Sequence, residues 1–192
     1  HRIVTVDLDA GQIQGFFDMP VDNLFTTPIF ARYIKKNIKT KNFICVSPDA
    51  GGIERTRGLA KKINADLAII DKRRPQAGKS QVMNIIGNVK NKNCIIVDDI
   101  IDSGGTIVNA VEALKKKGAL DVYVFITHAV LSGDAINKIK KSKIKKLVIT
   151  DSIDNSQRIK NISKIQVLSI APLMAEAIKR ISNSTSVSDL FN

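Results

Sequence analysis

Short apolar runs rich in Ile and Val alternate with helix-like stretches along most of this 192-residue chain. The runs have the length of buried strands, and the stretches between them repeat apolar residues with the period of a helix. The runs occupy residues 3–6, 43–46, 67–70, 94–97, 122–127, 146–149 and 165–168, and the helical stretches occupy residues 28–37, 53–63, 106–117, 135–141 and 173–181. Such alternation predicts an α/β fold, a parallel sheet flanked by helices on both faces.

The apolar content of the chain limits the kinds of protein that it can be. At 44% hydrophobic residues the chain is long enough to bury the core of one globular domain. None of its apolar runs approaches the length of a membrane span, and its first residues lack the basic head of a signal peptide, so we expect a cytoplasmic protein with no membrane contact. Cys45 and Cys94 each lie inside an apolar run, which predicts buried thiols and not a disulfide or a metal site.

The formal net charge of +12 raises the question of nucleic acid. The lysines cluster in helical or connecting stretches such as 115–117 and 138–146, with few aromatic residues among them to stack on bases. We therefore predict a solvated basic surface and no nucleic-acid partner. A positive field of this kind would help to attract polyphosphates and sugar phosphates.

The strongest local signal is the segment CIIVDDIIDSGGT at residues 94–106, which runs directly into a helical stretch. Asp98 and Asp99 stand where the strand is expected to end, and two neighbouring exposed acids at this place are hard to explain by the capping of a turn alone. Small residues then open the helix, and backbone amides at a helix N-terminus form an anion site that glycine lets a ligand approach. The small-residue turn consists of Asp102, Ser103, Gly104, Gly105 and Thr106.

A phosphate cradle beside paired acids suits a ligand that carries both a phosphate and vicinal hydroxyls, because carboxylates accept hydrogen bonds from hydroxyls and also hold Mg²⁺. Ribose 5-phosphate is such a ligand. The chain contains neither the Gly-x4-Gly-Lys-Ser/Thr motif of Walker-type loops nor the Gly-x-Gly-x-x-Gly motif of dinucleotide folds. These two phosphate chemistries are therefore excluded.

The segment VDDIIDSGGT resembles the phosphoribosyl pyrophosphate signature that phosphoribosyltransferases share with the synthetase that supplies them. Three further segments are similar to ribose-phosphate pyrophosphokinases and not to the transferases, namely QIQGFF at 12–17 with PVDNL at 20–24, SPDAGG at 47–52 and DKRRP at 71–75. The resemblance covers nearly the whole chain and matches the C-terminal portion of these enzymes. It implies a phosphoribosyltransferase-like (type I) fold and the transfer of pyrophosphate from ATP to ribose 5-phosphate.

The resemblance also implies roles for individual residues. Residues 102–106 would hold the 5-phosphate, and Asp98 and Asp99 would contact the ribose hydroxyls. Asp49 would help to bind Mg²⁺ with the ATP phosphates. Asp9 stands where the family usually has a histidine that ligates Mg²⁺, and a carboxylate is still a hard oxygen ligand.

Lys72 and Arg74 match the catalytic loop of the family, where they would neutralise charge on the transferring phosphoryl groups. Pro75 and Gly78 are expected to stop the preceding strand near Ile70, which would leave both cations on a loop at its carboxyl end.

Beyond the active site, the resemblance implies a regulatory phosphate or ADP site. Its residues would be Gln14, Asn23, Ser186 and Ser188. Residues 1–25 would be a linker and first strand entering from an N-terminal domain, and residues 26–192 the catalytic domain. ATP and ribose 5-phosphate would be the ligands, and the family implies a homo-oligomer, from dimer to hexamer.

Two other functions remain open at this point. A non-catalytic or truncated subunit with the same fold is favoured by Asp9 and by the length of the chain, whereas the intact Lys72, Arg74 and Asp49 favour the enzyme. A salvage phosphoribosyltransferase would need a hood segment over a nucleobase, and no stretch of the sequence requires that role.

Overall fold

A computed structural model describes residues 2–73 and 82–191. The strands are β1 (Ile3–Val6), β2 (Val21–Leu24), β3 (Phe43–Ser47), β4 (Asp66–Arg73), β5 (Val82–Ile86), β6 (Asn93–Ile101), β7 (Val122–Ala129), β8 (Lys146–Thr150) and β9 (Ile165–Leu168). The helices are α1 (Thr27–Asn37), α2 (Ile53–Ile63), α3 (Gly105–Lys116), α4 (Ala135–Lys141), α5 (Ser156–Ile159) and α6 (Ala171–Ser182). Two 3₁₀ turns cover Gly11–Phe16 and Ser188–Leu190.

The main sheet has seven strands in the order β5-β4-β3-β6-β7-β8-β9. Every neighbouring pair is parallel except β4 and β5, which form an antiparallel pair at one edge. The predicted parallel sheet is thus confirmed.

Helices cover both faces of this sheet because successive strand residues point to opposite sides. On β6, Cys94 and Ile96 pack in one apolar cluster with residues of α3 and α4. Ile95 and Val97 pack in a second cluster with residues of α1 and α2. Cys45 and Cys94 are fully buried and free, as predicted, and burial raises the pKa of each thiol to about 12.

The first predicted strand does not belong to the main sheet. β1 pairs in parallel with β2 in a separate two-stranded sheet. This small sheet packs against α6 through a third apolar cluster, in which Leu24, Ala177 and Val187 are buried. The placement of residues 3–6 in the main sheet was therefore wrong, because the partner strand β2 was not recognised.

Two strands extend further than predicted. β4 continues past Ile70 to Arg73, because its end pairs with the unpredicted strand β5, with Lys72 opposite Met83. β6 continues to Ile101, because its last residues still pair with β7. The expectations that one strand ends near Ile70 and that another ends before Asp98 were both wrong.

The remaining unpredicted element is the short helix α5. Within residues 2–73 and 82–191 there is no helix with the length and apolar character that crossing a membrane requires.

Candidate active site

The order of the strands reverses between β3 and β6. From β3 the chain moves outward through β4 to β5, and then returns to β6 and continues outward on the other side to β9. Parallel sheets of this kind bind ligands outside the carboxyl ends of their strands, at the point of reversal. The loops after β3 and β6 meet at this point, and they carry the predicted site residues Asp49, Asp102, Ser103 and Gly104.

A cavity of about 530 Å³ opens at this reversal point. Among the residues that the structure describes, five carboxylates and a single guanidinium line it, so we call it the acidic cavity. Its lining residues are Asp9, Asp49, Gly51, Gly52, Arg55, Asp98, Asp99, Ile100, Ile101, Asp102, Ser103, Gly104, Thr106 and Ile107. Its surplus of negative charge favours cations and hydroxyl-bearing ligands whose phosphates arrive with metal ions.

The paired acids lie inside the last part of β6 and are largely enclosed. The side chain of Asp98 is 16% exposed and that of Asp99 is 8% exposed, so the expectation of two exposed acids was wrong. Burial, and next the charge of Asp99, raise the pKa of Asp98 to about 7. The nearby guanidinium of Arg55 acts in the opposite direction on this pKa. Asp98 therefore changes its charge near neutral pH.

The small-residue turn after β6 has the shape that the sequence predicted. Gly104 has a φ of +75°, a left-handed conformation that favours glycine, and α3 begins at the next residue. A Cβ atom built on Gly105 would lie 3.9 Å from the Ser103 hydroxyl, its nearest neighbour. Gly105 itself is not among the lining residues, whereas the residues on either side of it are.

Asp49 follows β3 in the loop that leads to α2. Its Oδ1 atom accepts a hydrogen bond from the Gly52 amide at 3.1 Å, and the Ser47 hydroxyl donates to its carbonyl oxygen at 2.6 Å. Its Oδ2 atom lies 3.6 Å from Nζ of Lys72, and its side chain is 48% exposed. The structure thus brings the predicted metal ligand and one predicted catalytic cation together.

Arg55 is a site residue that the sequence reading missed. It projects from the first turn of α2, and its Nη1 donates to Oδ1 of Asp98 at 3.2 Å while its Nη2 donates to Oδ2 of Asp99 at 2.8 Å. A cation in the first turn of a helix opposes the helix dipole. An arginine at this unfavourable position, shortly after the SPDAGG segment, was the feature of the sequence that could have indicated an acidic partner for Arg55.

A second cavity of about 690 Å³ lies beside the N-terminal segment that contains the first 3₁₀ turn. Gln14 and Asn23 line it, whereas Ser186 and Ser188 do not. Both serines are exposed on the C-terminal segment, where the Ser186 carbonyl oxygen accepts a hydrogen bond from Arg180. The structure therefore places two of the four predicted regulatory residues in one cavity.

The two cavities adjoin each other. Asp9, Gly51 and Arg55 line both. Asp9 thus borders the acidic cavity, as the prediction of a metal ligand requires.

The predicted catalytic residue Arg74 lies outside the described residues. Among residues 2–73 and 82–191, no group of three or more His, Cys, Asp or Glu side chains is arranged to hold a metal ion by itself. A metal held by Asp49 and Asp9 would therefore need further oxygen ligands from water or from a bound ligand.

Comparison with known proteins identifies relatives of the whole chain. The family model of the phosphoribosyl synthetase-associated domain matches residues 74–192. Ribose-phosphate pyrophosphokinases from Brucella melitensis and Maricaulis maris are 56% and 52% identical over 191 residues, which is 100% of this chain and 62% of each relative. The chain thus spans under two thirds of the length of these relatives.

Solved structures agree with this relationship. The crystal structure of phosphoribosylpyrophosphate synthetase from Mycobacterium smegmatis matches 95% of this chain and 59% of its own, with a TM-score of 0.86 and 37% identity. Adenine phosphoribosyl transferase from Trypanosoma brucei matches 75% of this chain and 62% of its own, with a TM-score of 0.50 and 16% identity. The second likeness shows a shared fold alone, and it agrees with the predicted phosphoribosyltransferase-like architecture.

Proposed function

Because the chain belongs to the ribose-phosphate pyrophosphokinase family, we propose that it supplies the ribose 5-phosphate site and part of the ATP site of an enzyme that transfers a diphosphate group from ATP to ribose 5-phosphate. The products would be phosphoribosyl pyrophosphate, for nucleotide biosynthesis, and AMP. The observation that carries the proposal is the continuous unit of β6, the small-residue turn and α3, which lines one cavity with paired acids and a phosphate cradle.

The chemistry of ribose 5-phosphate matches that of this unit. The backbone amides at the start of α3, together with the small residues 102–106, suit the phosphate dianion. Asp98 and Asp99 are then available to accept hydrogen bonds from the ribose hydroxyls, because they line the same cavity. Binding would therefore leave the 1-hydroxyl of the sugar toward the rest of the acidic cavity.

The acidic cavity also suits Mg²⁺. Mg²⁺ in proteins is often held by one or two carboxylates and by substrate phosphates, and Asp49 and Asp9 offer oxygen atoms of this kind. When bound, the ion would neutralise phosphate charge on ATP. The family usually has a histidine at the position of Asp9. With Asp9 and Asp49 together, the metal site of this chain would therefore carry more negative charge than a site with that histidine.

Lys72 would act on the transferring group. In the reaction the 1-hydroxyl oxygen of the sugar forms a bond to the β-phosphorus of ATP, the bond from that phosphorus to the α-phosphate oxygen breaks, and the hydroxyl proton leaves to solvent. Charge accumulates on the phosphoryl oxygens during this step, and a fixed cation stabilises it. Lys72 lies 3.6 Å from Asp49 and supplies such a cation. We assign the same role to Arg74.

Further assignments from the family are part of the same proposal. Gln14, Asn23, Ser186 and Ser188 would form a regulatory phosphate or ADP site. Residues 1–25 would link an N-terminal domain to the catalytic domain 26–192, and the protein would form homo-oligomers. Two buried free thiols fit a cytoplasmic location, because disulfides are rare there.

The experiment that tests the proposal is an assay of nucleotide products, with the chain expressed together with whatever residues its gene places before His1. We expect release of AMP, and not ADP, that depends on added ribose 5-phosphate and Mg²⁺. ADP as the product, or no product, would contradict diphosphate transfer. Consumption of phosphoribosyl pyrophosphate when a nucleobase is added would favour the salvage transferase instead.

A further inference from the structure

We infer that Arg55 is a positioning residue that sets the preference of the acidic cavity for sugar phosphates with vicinal hydroxyls, by holding the Asp98 and Asp99 carboxylates side by side. The inference rests on the proposed binding of ribose 5-phosphate in this cavity. It adds a residue of α2 to a site otherwise assigned to the unit of β6 and α3.

The geometry of the guanidinium supports this role. Its two terminal nitrogens donate to two different carboxylates, at 3.2 Å to Asp98 and 2.8 Å to Asp99, instead of forming a bidentate pair with one of them. The Arg55 side chain is 18% exposed, so the contact lies in a partly enclosed region where charge pairing is stronger than at the surface. One planar, rigid group therefore fixes the spacing of two acids.

The backbone completes the arrangement from the other side. The Asp99 amide donates to Oδ1 of Asp98 at 3.1 Å, and the Ile100 amide donates to Oδ1 of Asp99 at 2.8 Å. Both oxygens of Asp99 thus have a donor from the protein, whereas Asp98 is the more exposed of the two acids. These hydrogen bonds hold the Asp99 carboxylate in place, whereas the Asp98 carboxylate is more accessible to a ligand.

Without Arg55, two adjacent carboxylates in an enclosed site would repel each other. Like charges in such a position are relieved by rotation of a side chain or by uptake of a proton. Either response removes acceptors from the place where sugar hydroxyls bind. The phosphate cradle would be unaffected, because its backbone amides belong to the turn before α3.

The test compares two ligands by calorimetry. Ribose 5-phosphate and 2-deoxyribose 5-phosphate carry the same phosphate, but the second lacks one of the vicinal hydroxyls. The variants are Arg55→Met, which keeps the aliphatic stem, and Arg55→Lys, which keeps the charge. Arg57→Met is the matched control, since Arg57 lies on the same helix and is exposed.

We expect the unchanged protein and the Arg57→Met variant to prefer ribose 5-phosphate by about tenfold or more. In Arg55→Met the affinity for ribose 5-phosphate should fall by about tenfold, while the affinity for the deoxy sugar changes by less than about threefold. Arg55→Lys should restore only part of the preference, because a single ammonium group cannot bridge two carboxylates in a fixed plane.

Three results would overturn the inference. An equal loss of affinity for both sugar phosphates in Arg55→Met and in Arg55→Lys would show that Arg55 only supports the fold. An unchanged preference in Arg55→Met would show that the acids need no bridge. If the unchanged protein bound neither sugar phosphate, the proposed function itself would fail, which is a different outcome from a failure of the role of Arg55 alone.

Discussion

Asp98 links the chemistry of the site to the stability of the fold. Its pKa is raised to about 7 by burial and by the charge of Asp99, so folding favours its protonated form. A group whose pKa is higher in the folded state contributes stability that is present below its unfolded pKa and is lost as the pH rises through its folded pKa. For Asp98 that loss falls between about pH 4 and about pH 7.

Replacing Asp98 with asparagine should remove this pH dependence. We expect Asp98→Asn to gain stability relative to the unchanged protein as the pH rises from about 5 to about 8, because the variant has no charge to bury. Chemical denaturation at both pH values measures the difference. A free energy of unfolding of the variant, minus that of the unchanged protein, that stays constant or falls as the pH rises over this range would contradict the raised pKa of Asp98.

Lys72 should act on the transition state more than on substrate binding. In the full-length protein, Lys72→Ala should lower kcat by about a hundredfold with a much smaller change in KM, because the cation compensates charge that develops during transfer. Lys61→Ala is the control, since Lys61 is exposed on α2. Steady-state kinetics separate the two parameters. A change confined to KM would make Lys72 a binding residue only.

Local sequence identified most of the residues that line the acidic cavity but not the contacts between them. Asp98, Asp99 and the turn before α3 were recognisable because the acids, the glycines and the helix start are contiguous in the chain. Arg55 was missed because it meets the acids across more than 40 residues of sequence. Contacts at that separation depend on the order of strands in the sheet, which a linear pattern does not contain.

Strand cores were predictable, and their ends were not. The apolar runs at the centres of β3, β7 and β8 follow from their Ile and Val content. The polar ends of β4 and β6 were read as loops, because residues such as Asp98 and Lys72 carry no strand signal of their own. In each case a neighbouring strand supplies the hydrogen bonds that extend the pairing.

A buried network connects the small β1–β2 sheet to the main sheet. Asp7 follows β1 and is 3% exposed, and its Oδ2 atom accepts hydrogen bonds from the Thr26 hydroxyl at 2.5 Å and the Thr127 hydroxyl at 2.6 Å. Thr127 lies on β7, so one carboxylate connects the segment after β1 to the centre of the main sheet. Secondary-structure patterns gave no indication of this network.

Loss of this carboxylate should destabilise the fold. We expect Asp7→Ala to lower the free energy of unfolding by about 1–3 kcal/mol, because the buried hydroxyls and the Thr26 amide lose their acceptor. Asp9→Ala is a matched control, since Asp9 is exposed two residues further on. Urea denaturation of both variants measures the difference. Equal stability of the two would show that the network contributes little.

At the scale of the whole molecule, the proposed sugar-phosphate site and the proposed ATP site would differ in how much of them this chain carries. The proposed sugar-phosphate site would lie within the continuous unit of β6 and α3, whereas the chain spans 62% of the length of its ribose-phosphate pyrophosphokinase relatives. Binding energy from remote parts of a substrate often serves to position the reacting groups. We therefore expect these 192 residues alone to bind ribose 5-phosphate and to make little phosphoribosyl pyrophosphate.

The most direct test of this account is a calorimetric titration of ribose 5-phosphate into the 192-residue chain and its Gly105→Val variant. Apart from the chain neighbours of Gly105 and the backbone of α3, the nearest atom to a Cβ at this position is the Ser103 hydroxyl oxygen at 3.9 Å, so the fold leaves room for the first carbon of a new side chain. We predict measurable binding by the unchanged chain and a loss of affinity of about tenfold or more in the variant, at an unchanged unfolding temperature. Equal affinities, or no binding by the unchanged chain, would contradict the assignment of the phosphate site.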